Sequence, residues 1–453
     1  MDGRTRSRCR QSSGSPGHGL LQQAGKCHPM SSQTQQPAVL LLQGPPSIFW
    51  RELGQGFEAA GVKAHHINFS LGDWIYWLKS GAANFRKPLS AWDGYLSEFI
   101  IRENITDILY YADQLPYHRV AAGVARRLGV KCHAVEYGYL RPDWITLERG
   151  GMGRLSHFPD QPERIAKIAS QVGPADVVVR YPHKFWQEAS NEVIYNMAAY
   201  WGRLIFPHYQ ADKYYDPFFE YIMWLPRMFR RPKTMPAHYT RDDSPPFFML
   251  ALQLQSDYQI RSNSPYTHLS EMLEEVIRSF AAFAPRNVRL VIKQHPLDNG
   301  LERWEKVVPE IVVRHGLSER VDFIDKGDIN ILLSKVSGVI VVNSTVGLHS
   351  LTALRPTIAL GSAIYDVAGL THQKGLNSFW TDPTPVDPVL LDQYIRALAA
   401  SIQVKGDFYN KAGRKAAIAE IVVRIVNGTV NCPDAFVEVP PRFVEDRKLR
   451  HEM

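Results

Sequence analysis

Val39-Leu40-Leu41-Leu42-Gln43-Gly44-Pro45-Pro46 decides the fold: four consecutive apolar residues run into a Gly-Pro-Pro turn, and apolar residues at helical spacing follow over 48–60. That is strand, turn, helix. The unit recurs, with strands expected at 62–69, 105–111 and 130–136 and helices at 92–103 and 116–128. A second series starts with a strand at 247–254, a helix at 267–283 and strands at 288–293, 321–324, 336–342 and 357–360. Strands that alternate with helix-length segments predict parallel, doubly wound sheets. The fold class is therefore α/β, with two Rossmann-like domains. Helical stretches at 388–402 and 411–426 are expected to pack back across the first domain.

The chain has 453 residues, more than a single core usually serves, so two domains are expected on size alone. The predicted organisation is a polar tail at 1–37, a first α/β domain at 38–184, an aromatic and basic helical insert at 185–245, a second α/β domain at 246–385, and C-terminal helices and tail at 386–453. The tail is rich in Ser, Gln, Gly and Arg without an apolar period, and Met30 is an alternative start. In the insert, Phe185, Trp186, Tyr200, Trp201, Phe218, Phe219 and Trp224 accompany a basic cluster at 227–231. These rings suit a core, or an interfacial surface at headgroup depth.

Apolar residues at 45% and charged residues at 21% place the chain among globular proteins. Its net charge of +7 favours an anionic partner: a nucleotide, an anionic lipid or a nucleic acid. The last rests on charge alone and is not expected. Cys9, Cys27, Cys132 and Cys432 have no metal or redox spacing, so no metal and no cofactor are expected. No apolar stretch is long enough to span a membrane, and a cytoplasmic location is expected. Gly44-Pro45 is neither a GxGxxG nor a phosphate-binding loop, which disfavours dinucleotide or Walker-type ATP binding.

Candidate chemistry gathers at strand ends, where open α/β sheets bind ligands. Lys293-Gln294-His295-Pro296 ends one strand, and its Lys and His can meet a phosphate or simply cap a loop. Asn343-Ser344-Thr345-Val346-Gly347 ends another and starts a helix, so its hydroxyls and backbone N–H groups suit an anion or an ordinary N-cap. Together the two are expected to clamp one phosphate. In the first domain, Glu136 ends a strand beside Gly138, with Arg141 to hold an anion, while Glu148 is a second candidate carboxylate. Gln253 and Asp257 should face the same interdomain cleft.

These segments resemble the bacterial capsule polysaccharide synthesis and export family of the KpsS and LipB type, related to KpsC. The likeness is carried by Leu42-Gln-Gly44-Pro45 with Phe49-Trp50, Ile67-Asn-Phe69 with Gly72-Asp73-Trp74, the 136–142 stretch, Lys293 to Pro296, and Asn343 to Gly347. Tyr365-Asp366-Val-Ala-Gly369-Leu-Thr371-His372-Gln373 adds to it, and the whole spans 39–383. The resemblance implies a GT-B-like pair of domains that transfers β-Kdo from CMP-Kdo, with retention, to phosphatidylglycerol or a Kdo-primed lipid. It also implies other capsule synthesis and export proteins as partners, and a place at the inner face of the cytoplasmic membrane. CMP-sugar sialyltransferases have a similar His-Pro pair and Ser-rich strand end. On this basis Glu136 and His295 are the expected catalytic pair. Lys293, Gln294, Pro296, Asn343, Ser344, Thr345 and Gly347 are expected at the donor, and Gly44, Asp73, Arg141, Glu148, Gln253, Asp257 and His372 at the cleft or acceptor. Relatives often place a second acid after the glutamate, where this chain has Tyr137. Another nucleotide-activated sugar and a non-catalytic assembly role stay open as alternatives.

Overall fold

The computed structural model describes residues 37–228, 236, 239 and 245–443. The expected tail at 1–36, Arg230 and Arg231 lie outside the described residues, as do the side chains of Trp224 and Arg227. Two sheets form, as the recurring strand-turn-helix pattern predicts. The first holds β1 (Ala38–Leu41), β2 (Lys63–Asn68), β3 (Ala83–Asn84), β4 (Asp107–Tyr111), β5 (Lys131–Tyr137), β6 (Trp144–Arg149) and β12 (Gln403–Lys405), in the order β12-β6-β5-β4-β1-β2-β3. The second holds β7 (Phe247–Ala251), β8 (Arg289–Lys293), β9 (Val321–Ile324), β10 (Gly338–Val341) and β11 (Thr357–Ala359), in the order β11-β10-β7-β8-β9. All of the second sheet is parallel.

The first sheet departs from the parallel expectation at one edge: β6 runs antiparallel to β5, and β12 antiparallel to β6. Only residues 138–143 join β5 to β6, too few for a crossover, so the chain must fold back as a hairpin. Gly138 permits that reversal. Its backbone N–H donates to the Trp144 carbonyl at 2.7 Å, and any Cβ there would lie 2.5 Å from Trp144.

Helices cover both faces of each sheet because their apolar residues return every three to four positions. Helix Phe49–Ala59 buries Phe49, Trp50, Leu53 and Phe57, and the same layer receives Ala417, Ile421 and Ile425 from helix Lys411–Val426. Each such side chain contributes about 1.5–3 kcal/mol when fully buried. Helices Trp92–Glu103 and Pro116–Leu128 close the other face. Across the second sheet, one layer draws on Leu269–Phe283 and Trp304–Arg314, the other on Pro388–Ser401 together with Ile165 and Ile168 of helix Pro162–Ser170.

Candidate active site

Glu136, the penultimate residue of β5, meets helix Tyr258–Asn263, which follows β7, where the two domains approach. Its Oε2 accepts a short hydrogen bond from the Tyr258 hydroxyl of the opposite domain. Burial pushes the Glu136 carboxyl up to about 8; the Tyr258 bond opposes this, while Asp257 and Asp113 reinforce it and Arg141 opposes it. A carboxyl poised in that range exchanges a proton near neutrality.

Asp113, just past β4, is the residue that strand-end reading of the sequence passed over. It is almost fully buried, Met152 N–H donates to its Oδ2 at 2.8 Å, and its Oδ1 has no hydrogen-bond partner. Burial raises it to about 6. Tyr137, at the position where a second acid was sought, cannot serve beside Glu136, because successive strand residues point to opposite faces. Its hydroxyl donates instead to Glu188 at 2.5 Å, and the Arg141 guanidinium sits 5.1 Å over its ring. Arg141 is exposed and electrostatically felt by Glu136, Asp257 and His349, so it reaches toward both domains. A second carboxylate therefore comes from the neighbouring strand.

Tyr258 is held by a chain of side chains that starts at β10. Asn343 donates to the Gln259 carbonyl at 3.0 Å and the Asn263 carbonyl at 3.2 Å, while its Oδ1 accepts from Gln253 Nε2 at 2.8 Å and its N–H donates to Gln253 Oε1 at 3.0 Å. Both amides are thus committed to fixing helix Tyr258–Asn263, and Gln259 Nε2 in turn donates to the Tyr258 hydroxyl at 2.7 Å. Asp257 caps this helix through the Gln259 N–H at 2.9 Å and is electrostatically felt by Glu136. Asn343 and Gln253 position the site from behind.

Lys293 ends β8 almost fully buried; burial lowers its pKa and Asp325 opposes the shift. His295 Nδ1 accepts the Leu297 N–H at 3.1 Å, which leaves the ring proton on Nε2. Gln294 bonds Asp298 at 2.8 Å and shapes the loop, with Pro296 exposed on it. At β10, the Ser344 hydroxyl accepts the Val346 N–H at 3.2 Å, and Thr345 begins a helix of only seven residues, Val346–Thr352. Gly347 is required by Tyr365, whose ring fills the place of a Cβ and whose hydroxyl donates to the Ser344 carbonyl. Because β7 lies between β8 and β10, the His295 and Ser344 strand ends stand two strand spacings apart, about 10 Å.

Four expected cleft residues lie elsewhere. Glu148 is fully buried in β6, accepting from the Ser156 and Tyr139 hydroxyls, and burial raises it to about 8. Asp73 is spent as a capping box with Ser70 and accepts the Tyr195 hydroxyl at 2.7 Å. Gly44 lies under the Trp50 ring, and with Asp73 it lines a small space of about 10 Å³. His372 packs at the start of β11, the amino edge of the sheet, where its N–H meets the Thr357 carbonyl and its ring bonds Thr384 at 2.9 Å and Ser378 at 2.8 Å. Among the described residues, no group of three His, Cys, Asp or Glu could hold a metal ion.

The family model described as capsule polysaccharide biosynthesis protein matches residues 106–409, which takes in both strand-end clusters. The chain belongs to the capsule polysaccharide biosynthesis family. Among family relatives, it is 28% identical over 383 residues to the capsule polysaccharide export protein KpsS of Escherichia coli, covering 82% of this chain and 96% of that one. It is 29% identical over 386 residues to the capsule polysaccharide modification protein LipB of Neisseria meningitidis, covering 82% and 92%. A solved structure, the β-Kdo 2,7 transferase KpsC of Thermosulfurimonas dismutans, is similar at 15% identity and a TM-score of 0.41, covering 87% of this chain and 99% of that one. In this chain Glu136 meets Tyr258 of the helix that Asp257 caps and Asn343 and Gln253 fix, with Arg141 within electrostatic reach, whereas the side chains of Asp73, Glu148 and His372 are engaged by the neighbours just named.

Proposed function

We propose that this chain is a retaining glycosyltransferase that moves Kdo from CMP-Kdo to a lipid, phosphatidylglycerol or a Kdo-primed lipid, during synthesis of the capsule linker, while attached peripherally at the inner face of the cytoplasmic membrane. The reading is supported above all by Glu136, a carboxyl tuned to about 8 and bonded by Tyr258 across the cleft. Lys293 neutralises the departing phosphate and His295 donates its Nε2–H to it, while Ser344 and Thr345 donate to phosphate or to the sugar carboxylate. Stabilising charge that grows as the bond breaks lowers the barrier. The anomeric C–O bond breaks with its electron pair leaving on CMP, and a Glu136 oxygen bonds the anomeric carbon. The acceptor hydroxyl then attacks that carbon, gives up its proton and frees the carboxylate. The leaving group is a monophosphate, so this basic pair takes the role a divalent ion plays for many diphosphate donors.

Incubation of the purified chain with CMP-Kdo and a fluorescent phosphatidylglycerol analogue tests this directly. Mass analysis should find the lipid with one Kdo added and CMP released. Intact lipid and intact CMP-Kdo after long incubation would defeat the reading.

A further inference from the structure

Helix Phe185–Trp201 is amphipathic in the sense opposite to a core helix. Four of its polar residues point inward and are spent there: Glu188 accepts the Tyr137 hydroxyl, Asn191 Oδ1 accepts the Tyr76 hydroxyl at 2.8 Å, Asn196 donates to the Tyr221 hydroxyl at 2.9 Å, and the buried Tyr195 donates to Asp73. Outward, Trp186, Ser190, Val193, Met197 and Trp201 recur every three or four residues and form one stripe, with Ile194 beside it. Trp186 is 75% exposed and Trp201 68%. Isolated exposed apolar residues mean little, but a continuous stripe does.

The stripe continues past the helix. Leu204 is 96% exposed, and Phe218, Phe219 and Ile222 of helix Pro217–Met228 are exposed too, joined to the stripe where Tyr200 stacks on Phe218 at 6.2 Å. Cations border it. Lys184 is exposed at one end of the helix, and the Arg203 guanidinium lies over the Tyr200 ring at 5.0 Å at the other. Beside Gln187 opens a groove of about 960 Å³ that Lys411 and Lys415 line; its one acid, Glu52, is engaged by Arg414 at 2.7 Å.

We propose that this face docks on an anionic bilayer, the indole rings at headgroup depth and Lys184, Arg203, Lys411 and Lys415 on the lipid phosphates. The proposal rests on the peripheral attachment stated above and names the surface that makes it. Rings ending a stripe and flexible cations at its rim match the polarity gradient of a membrane surface.

Flotation with phosphatidylcholine vesicles, with and without phosphatidylglycerol, reads the interaction. The full chain should partition onto the phosphatidylglycerol vesicles, and Trp186→Ser with Trp201→Ser should reduce partition at least about tenfold with an unchanged melting temperature. Lys411→Gln with Lys415→Gln should erase the preference for anionic vesicles. Equal partition by wild type and the Trp variant overturns the proposal. So does a Trp variant whose only change is loss of self-association in sedimentation, because the stripe is then an interface between proteins. CMP release with a water-soluble acceptor, unchanged in both variants, keeps this outcome separate from failure of the transfer reading.

Discussion

Glu136→Gln should leave CMP-Kdo bound, because Lys293, His295 and Ser344 stand on the other domain, and should cut transfer at least about a hundredfold. The carboxyl is held up near 8, so turnover that needs it ionised should rise with pH and level off above that value. Asp113 adds to the upward shift, and Asp113→Asn should move the limb to lower pH. Glu148→Gln should leave the limb where it is; a dead Glu148→Gln beside an active Glu136→Gln would reverse the assignment. His295→Ala should abolish CMP-sugar turnover at an unchanged melting temperature, whereas early melting would make the ring structural. At this scale the sequence was legible where a polar residue ends an apolar run, as at Glu136 and Lys293. Asp113 escaped because no motif surrounds it: its proximity to Glu136 comes from the pairing of β4 with β5, where Ala112 N–H meets the Val135 carbonyl at 3.1 Å. His372 misled for the complementary reason, as nothing in its local sequence says which edge of the sheet it occupies.

Among elements, the hairpin edge was the hidden part. Trp144-Ile-Thr-Leu-Glu-Arg149 is buried along almost its whole length, yet Thr146 and Glu148 interrupt its apolar run, and the alternation they create lasts only four residues and describes a half-exposed strand. The three residues of β12 are too few to show any period. The insert helix is anchored beside this edge by His183, whose ring bonds Asp407 at 2.6 Å and Glu188 at 3.1 Å, and these two acids raise its pKa to about 9. The raised value means that the folded state binds the proton more tightly than the unfolded chain. The stabilisation is full below the ordinary value near 6.5 and is lost as pH climbs through about 9. Urea midpoints measured from pH 6 to pH 9.5 should therefore fall less steeply in His183→Gln than in wild type; parallel curves would show that the clamp contributes nothing. Asn343→Ala tests the short helix Tyr258–Asn263. Removing the amide leaves Gln253 Nε2 without its acceptor and takes one donor each from the Gln259 and Asn263 carbonyls, of which Asn263 keeps the Ser362 N–H at 2.7 Å, at a cost of about 1–3 kcal/mol. A looser Tyr258 should also carry the Glu136 limb upward in pH, since that hydroxyl holds the carboxyl down.

At the scale of the molecule, the two α/β sheets followed from strand-turn-helix repetition, but the ownership of the cores did not. The boundaries drawn at 246 and 385 are the natural reading of a second α/β series, because the apolar strand runs begin and end there. The apolar layer on one face of that sheet nevertheless includes Phe158, Ile165 and Ile168 from before the insert and Leu390, Leu391, Tyr394, Leu398 and Ile402 from after residue 385. Immediately beyond them β12 joins the first sheet, and helix Lys411–Val426 packs there on Phe49–Ala59. A fragment comprising 246–385 would thus retain every strand of its sheet while losing part of the cover on one face, where only segments such as Leu332, Leu333, Leu348, Leu351 and 363–370 remain. Eight large side chains that should cover it are missing, each worth about 1.5–3 kcal/mol of burial, against a net stability of only about 5–15 kcal/mol for a typical domain. The fragment should consequently bind a hydrophobic dye, give a poorly dispersed amide spectrum and melt without a cooperative transition, whereas 158–402 restores the layer and should regain cooperativity in that half. A sharp, reversible melt of 246–385 alone would show that the second sheet is self-sufficient. Failure of the short fragment with rescue by the longer one would show that the two domains share a core through the chain segments that cross between them.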